Sequence, residues 1–188
     1  MDTVKFNIAN LQTGALGLRL IKGYEKCKLT SYDDNRSLPG GIWTIGWGNT
    51  VYNIPITTVN GRVKKIGDPV IQGDVITQAQ ADAELMFDLK SFESQVKSLI
   101  TVPLTQVQFD SLVDFVYNTG GGYKDKSGKY RRYDLWANIN SGMDPVKLFD
   151  YWSKCAITQA GVPLAVLVRR RKSEVTLFQT GVLNFFES

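Results

Sequence analysis

The stretch Thr77–Leu99, TQAQADAELMFDLKSFESQVKSL, organises the reading of everything around it. Thr77 followed by Gln80 has the form of a capping box, in which hydroxyl and amide satisfy two N–H groups that a first helical turn leaves unpaired. Behind it Ala81, Leu85, Leu89, Phe92, Val96 and Leu99 recur in steps of three and four, so the spacing predicts the longest helix of the chain. The segments on its two sides differ in character, and that difference predicts the architecture.

Upstream, Gly and Pro recur from Thr30 to about Asp74, β-branched and aromatic residues rise, and the runs Ile42–Trp47 and Ile54–Val59 read as strands. Ahead of that lobe, Thr13 precedes Leu16, Leu20 and Tyr24 at helical spacing, which predicts a short first helix ending near Glu25. Downstream, Thr105 and Gln108 offer a second capping box before Phe109, Leu112, Phe115 and Val116, on a helix expected to stop at Gly120-Gly-Gly122. A glycine- and lysine-rich loop follows. Asp144-Pro145 opens another helix with Leu148, Phe149 and Trp152 on its apolar side, and a last helix is expected from about Leu164 to Phe178. This order predicts an α+β fold, two-lobed, with a small β-rich lobe and a larger helical lobe joined by the long helix. The expected organisation is one domain, 1–188, with 1–29 packing on the helical lobe, 30–76 forming the β-rich lobe, and 77–188 the long helix and helical lobe.

Composition narrows the chemistry. The 188 residues are 43% hydrophobic and 21% charged, an ordinary globular profile, and no apolar run is long enough to span a bilayer. The N-terminus lacks a basic leader followed by an apolar core, so neither secretion nor anchoring is expected. There is no histidine. Ser-His-Asp triads, Cys-His pairs and His-rich zinc sites are therefore excluded. Cys27 and Cys155 are too few for a four-ligand zinc site and are expected as free thiols. No metal or cofactor is expected, which leaves carboxylates as the leading acid–base groups. The net charge of +4 and pI of about 9 suit a polyanionic partner, although such a charge is also common without one. Arg169-Arg170-Arg171-Lys172 lies in an apolar-periodic segment rather than a tail, and Arg62, Lys64 and Lys65 after Gly61 read most simply as a solvated hairpin.

Gly23-Tyr-Glu25-Lys-Cys-Lys-Leu29-Thr-Ser-Tyr32-Asp-Asp34 sets a glutamate at a helix end and an aspartate nine positions later on a strand. The negative end of a helix dipole raises a carboxyl pKa, as a general acid requires. Next, Gly41-Ile-Trp-Thr44-Ile-Gly46-Trp-Gly48-Asn49-Thr50 alternates like a strand, with glycines that permit the close approach a cleft wall needs. Each piece alone is weak, since paired acids are common on surfaces.

In this order the residues resemble the phage lysozyme or endolysin family, glycoside hydrolase family 24. The later landmarks agree in order: Gly73-Asp-Val-Ile-Thr77, Leu104-Thr-Gln-Val-Gln-Phe109-Asp-Ser-Leu112, Phe115-Val-Tyr-Asn118-Thr-Gly120 and Arg169-Arg170-Arg171-Lys-Ser-Glu174. The resemblance implies a muramidase that hydrolyses the β-1,4 bond between N-acetylmuramic acid and N-acetylglucosamine of peptidoglycan, with the sugar chain between the lobes. It places the catalytic acid on Glu25, kept protonated by partial burial, the second carboxylate on Asp34 and the catalytic threonine on Thr44, with inversion at the anomeric carbon. Asp33 and Thr50 are the rivals. Arg170 falls where the family has an active-site arginine that orients the acid or contacts substrate; its other reading is a surface ion pair with Glu174, four residues on. Asn118 falls where an amide can meet N-acetyl sugars, or else it satisfies the end of its helix. Trp43 and Trp47 fit sugar stacking or core packing, and Trp152 fits the core.

Three departures from the family accompany the match. About four extra residues lie between Asp34 and Thr44, Asn49 stands where the family usually has histidine, and 51–74 makes a longer lobe. The resemblance further implies a monomer, with no nucleic acid partner and no stable membrane insertion, held in the host cytoplasm until released to the wall. The other readings are a lytic transglycosylase and a non-catalytic peptidoglycan-binding module.

Overall fold

A computed structural model describes residues 4–34, 41–159 and 161–186, and of Thr57 the backbone. A 3-10 turn, Ile8–Asn10, leads into helix α1, Ala15–Tyr24. Strands β1, Lys28–Asp33, and β2, Trp43–Gly46, pair antiparallel. So do β3, Ile56–Val59, and β4, Arg62–Lys64. Asn60 and Gly61 join the second pair at φ 53° and 73°, left-handed values that this Asn-Gly turn accepts without strain. Helices α2, Gln78–Leu99, and α3, Gln106–Thr119, follow. Then come the hairpin β5, Gly122–Lys124, with β6, Tyr130–Arg132, and helices α4, Leu135–Asn140, and α5, Pro145–Ser153. The short pair β7, Thr158–Gln159, and β8, Val162–Pro163, precedes α6, Ala165–Thr180. Among the described residues no helix is long and apolar enough to cross a membrane.

The expected caps are present. Gln80 donates its N–H to Thr77 Oγ1 at 3.2 Å while Thr77 N–H reaches Gln80 Oε1 at 2.8 Å. Thr105 and Gln108 repeat the box, α3 ends on Gly120 in the left-handed region, and Asp144 accepts from Val146 and Lys147 at the start of α5. The glycine- and lysine-rich segment read as a loop is instead the β5–β6 hairpin. Its alternation is too short, and too interrupted by charge, to register as strand from pattern alone.

The chain divides into two compact units, one of 1–24 with 91–188 and one of 25–90, and the second boundary falls inside α2. In the first unit α3 is the buried centre: every residue from Phe109 to Val116 is inaccessible, two aspartates and a serine included. Asp110 on this helix accepts N–H bonds from Gly14 at 2.7 Å and Gly17 at 3.1 Å, so α1 is capped by a carboxylate from another helix. A Cβ on Gly14 or Gly17 would sit about 3 Å from that carboxyl, which is why glycine stands at both.

The second unit packs Ile45, Tyr52, Ile56, Val59, Val70, Ile76 and Ala81 into one cluster, with Trp43 and Trp47 half-buried against it. Its polar centre is Asp74, which takes the Tyr52 hydroxyl at 3.0 Å and the Lys64 ammonium at 2.8 Å. Lys64 is therefore not part of a solvated hairpin: its side chain is buried and paired, while Arg62 and Lys65 are exposed. A carboxylate contributed from ten residues further on made the difference, and no local pattern announces it.

Candidate active site

The β1–β2 ladder sorts the acidic pair after Tyr32. Tyr32 lies opposite Thr44 and Asp33 opposite Trp43, and the Asp34 N–H extends the ladder by donating to the Ile42 carbonyl at 2.9 Å. Cross-strand partners share a face and neighbours alternate, so Tyr32, Asp34 and Thr44 belong to one face and Asp33 to the other. The Asp33 carboxylate accepts the Ile42 N–H at 3.2 Å, and a Cβ on Gly41 would approach it to 2.6 Å. Asp33 is thus built into the strand junction, whereas Asp34 is exposed. The stretch 35–40, which holds most of the extra length after Asp34, lies outside the described residues.

Thr44 is buried, with its hydroxyl 3.4 Å from the Ile42 carbonyl, while Thr50 is exposed. Glu25 directly follows the last residue of α1 and is half-buried. Tyr32 ties these groups together. Burial first, and then the charges of Asp34 and Glu25, raise its phenol pKa, so both carboxylates act electrostatically on a single ring.

Beyond β2 the chain makes a tight loop closed by reciprocal Ile45–Asn49 backbone bonds of 2.9 Å, with Gly46 and Gly48 at φ 63° and 117°. Asn49 donates its side-chain amide to Asp88 at 2.6 Å, Asn53 does the same to the other oxygen at 2.6 Å, and Glu84 accepts the Asn53 and Ile54 N–H groups. Burial raises the Asp88 and Glu84 pKa values, and these hydrogen bonds only partly offset it. Trp47 donates to Asp82 at 3.0 Å, which commits its indole N–H to α2. With Trp43 it packs on the core cluster.

In the other unit, Arg170 presents Nε and Nη2 to both oxygens of Asp114 at 3.0 and 2.8 Å. Arg170, Asp114 and Glu174 are all buried, so the expected surface pair of Arg170 and Glu174 is instead part of an interior network. Burial acts to raise the Asp114 pKa, but the charge and bidentate bonds of Arg170 outweigh it and hold this carboxyl low. Glu174, where burial dominates, is raised well above the usual range. Arg171 bonds Glu174 Oε1 at 2.5 Å and Asn118 Oδ1 at 2.9 Å, and its guanidinium lies 4.7 Å from the Phe115 ring centre. The Asn118 carbonyl is thereby oriented by a buried cation. Asn118 also lines a cavity of about 510 Å³ with Thr119, Tyr123, Tyr133, Thr158 and Leu167.

Residues 22–174 match the family model described as phage lysozyme. The chain belongs to the phage lysozyme family. This lysozyme is 32% identical over 164 residues to an endolysin of Acyrthosiphon pisum secondary endosymbiont phage 1, covering 87% of its own length and 95% of the relative's. It is 31% identical over 168 residues to the endolysin of Salmonella phage P22, covering 89% and 98%. Among solved structures it is similar to the endolysin of Escherichia coli O157:H7 phage FAHEc1, with a TM-score of 0.69, 26% identity and coverage of 96% and 99%. It is also similar to the muramidase domain of SpmX from Asticaccaulis excentricus, with a TM-score of 0.62, 28% identity and coverage of 91% and 99%. The lysozyme is accordingly a glycoside hydrolase of α+β fold that degrades peptidoglycan.

Tyr32, Asp88 and Arg171 are parts of these constellations that the sequence reading passed over. Tyr32 was open to discovery, because it stands two positions before Asp34 on a strand. Asp88 was not, since its partners come from a loop 35 to 39 residues away.

Proposed function

We propose that Glu25 is the general acid and that Asp34 and Thr44 activate water, in an inverting hydrolysis of the β-1,4 bond between N-acetylmuramic acid and N-acetylglucosamine. The carrying observation is the β1–β2 register: Tyr32 stands opposite Thr44, which puts Asp34 on the Thr44 face, and the half-buried Glu25 leads from the end of α1 towards β1. Glu25 gives its proton to the leaving glycosidic oxygen as the bond to the anomeric carbon breaks. A water held by the Thr44 hydroxyl attacks that carbon from the opposite face and passes its proton to Asp34. Exchange with solvent returns Glu25 to the acid form and Asp34 to the carboxylate.

Asn118 donates its side-chain N–H to an N-acetyl carbonyl, a role supported by Arg171 holding the other end of the amide. Arg170 belongs to the substrate-binding surface, with its guanidinium plane set by Asp114. The enzyme acts as a monomer, after release from the producing cell's cytoplasm to the wall, without nucleic acid or membrane insertion.

Proton NMR of the reducing-end sugar in the first minutes of hydrolysis tests the mechanism. The α anomer appearing first supports inversion of the β bond. The β anomer appearing first contradicts it and assigns a retaining route.

A further inference from the structure

The β5–β6 hairpin concentrates the charge of the molecule. Residues 122–132 hold Lys124, Lys126, Lys129, Arg131 and Arg132 against one carboxylate, Asp125, a net +4 equal to that of all 188 residues. The rest of the chain is neutral in sum, so the hairpin carries a charge equal to the whole net charge of the chain.

The hairpin is also pre-organised. Asp125 Oδ1 accepts from the Ser127 N–H and hydroxyl and from the Lys129 N–H, and Oδ2 takes Arg131 at 2.8 Å, which closes the turn from inside. Ser127 and Arg131 hold the Asp125 pKa down at about 2, so these bonds are made to a carboxylate at ordinary pH. Tyr130 packs over Gly122, where a Cβ would come within 2.5 Å of the ring, and donates its hydroxyl to the Gly120 carbonyl at 3.2 Å. Tyr123 packs on Tyr133 with ring centres 5.3 Å apart. With the one acid spent on Arg131, the side chains of Lys124, Lys126, Lys129 and Arg132 are exposed and have no ion-pair partner among the described residues.

We propose that the β5–β6 hairpin is a docking surface for the carboxylates of the short peptides attached to the peptidoglycan glycan chain. This rests on the chain being a peptidoglycan-degrading enzyme. Two observations select this partner. Tyr123 of the hairpin lines the cavity that Asn118 also lines, so the cations border the surface assigned above to N-acetyl sugars. The turn 125–128 is Asp-Lys-Ser-Gly, so no apolar side chain stands at the tip itself, and the half-exposed Tyr123 and Tyr130 lie behind it on the strands. Carboxylates at intervals along a polymer match separated lysine and arginine heads, each making charge-assisted hydrogen bonds in turn.

The test uses the full chain carrying Glu25→Gln, with and without Lys126→Gln, Lys129→Gln and Arg132→Gln together. Each protein is sedimented with purified sacculi, and with the same sacculi whose peptide carboxyls have been converted to amides. The expected result is binding to native sacculi weakened at least about tenfold by the three substitutions, and amidation bringing the unsubstituted hairpin down to the same level. Replacing the three by cations instead, as Lys126→Arg, Lys129→Arg and Arg132→Lys, is expected to retain tight binding. Equal binding of the neutralised and unsubstituted hairpins to native sacculi overturns the proposal. So does a difference that persists on amidated sacculi, or one seen with phosphatidylglycerol vesicles and not with sacculi. Soluble sugar fragments appearing during the assay would instead mark failure of the role given to Glu25, separately from the hairpin.

Discussion

Tyr32 and Thr44 are direct partners across the β1–β2 ladder, and their pairing decides which neighbouring side chains share a face. Asp34, two residues beyond Tyr32, falls on the Thr44 side, and Asp33 falls on the other, where it holds the Ile42 N–H. Asp34→Asn and Thr44→Ala are each expected to lower kcat on peptidoglycan by about 100-fold or more. Asp33→Asn and the exposed Thr50→Ala are expected to keep it within a few-fold. Turnover of all four, compared at equal folded fraction, checks the assignment, and a larger loss from Asp33→Asn than from Asp34→Asn would reverse it.

Asn49→His restores the residue type that the family usually carries beside this loop, and its effect depends on Asp88. In the parent, burial holds the Asp88 pKa above its unfolded value, so the native state binds more protons there and loses stability as pH rises through the folded pKa. A histidine beside Asp88 gains a carboxylate partner, which raises its own pKa above the unfolded value of about 6.5. That contribution is complete below the unfolded value and disappears as pH rises through the raised one. The Tm of Asn49→His should exceed the parent's at about pH 5.5 and show no advantage at about pH 9. An equal difference at both would show that no ion pair forms.

Arg170→Met removes the partner of a carboxylate with no access to solvent. The expected loss is about 3–5 kcal/mol in denaturant unfolding near neutral pH, because Asp114 would be left buried and charged. Since the Asp114 pKa lies below its unfolded value, the stability it contributes is complete above about pH 4 and is lost as pH falls through the folded value. The parent's acid sensitivity in that range should therefore be blunted in the variant. A change of less than about 1 kcal/mol would mean that the pair contributes little.

These buried networks mark where sequence reading stops. Helix starts at Thr77, Thr105 and Asp144 and the stop at Gly120 were legible because a cap is written within three or four residues of the turn it serves. The alternation around Thr44 was legible for the same local reason. Lys64 with Asp74 and Arg171 with Asn118 were not, because each pairs groups that only the folded chain brings together. Arg170 and Glu174 show the two limits at once. Their helical spacing of four was visible, but their burial depends on α3 covering that face of α6.

The two cysteines should behave differently. Neither is in a disulfide; Cys155 is buried and burial pushes its thiol up to about 11, while Cys27 is half-buried beside Gln78. A thiol reagent at neutral pH is expected to label Cys27 in the folded protein, and Cys155 only after unfolding, because the thiolate is the reactive form. Reducing agent should leave Tm unchanged. Peptide mapping that finds Cys155 labelled as fast as Cys27 in the native state would contradict this account.

In the proposed mechanism glycosidic cleavage depends on the proton that Glu25 supplies. Turnover of purified peptidoglycan by Glu25→Gln against the parent, with matching thermal unfolding, tests it most directly. The expected result is a kcat reduced by about 100-fold to 10,000-fold with Tm nearly unchanged. A folded Glu25→Gln protein that clears peptidoglycan at the parent's rate would contradict it.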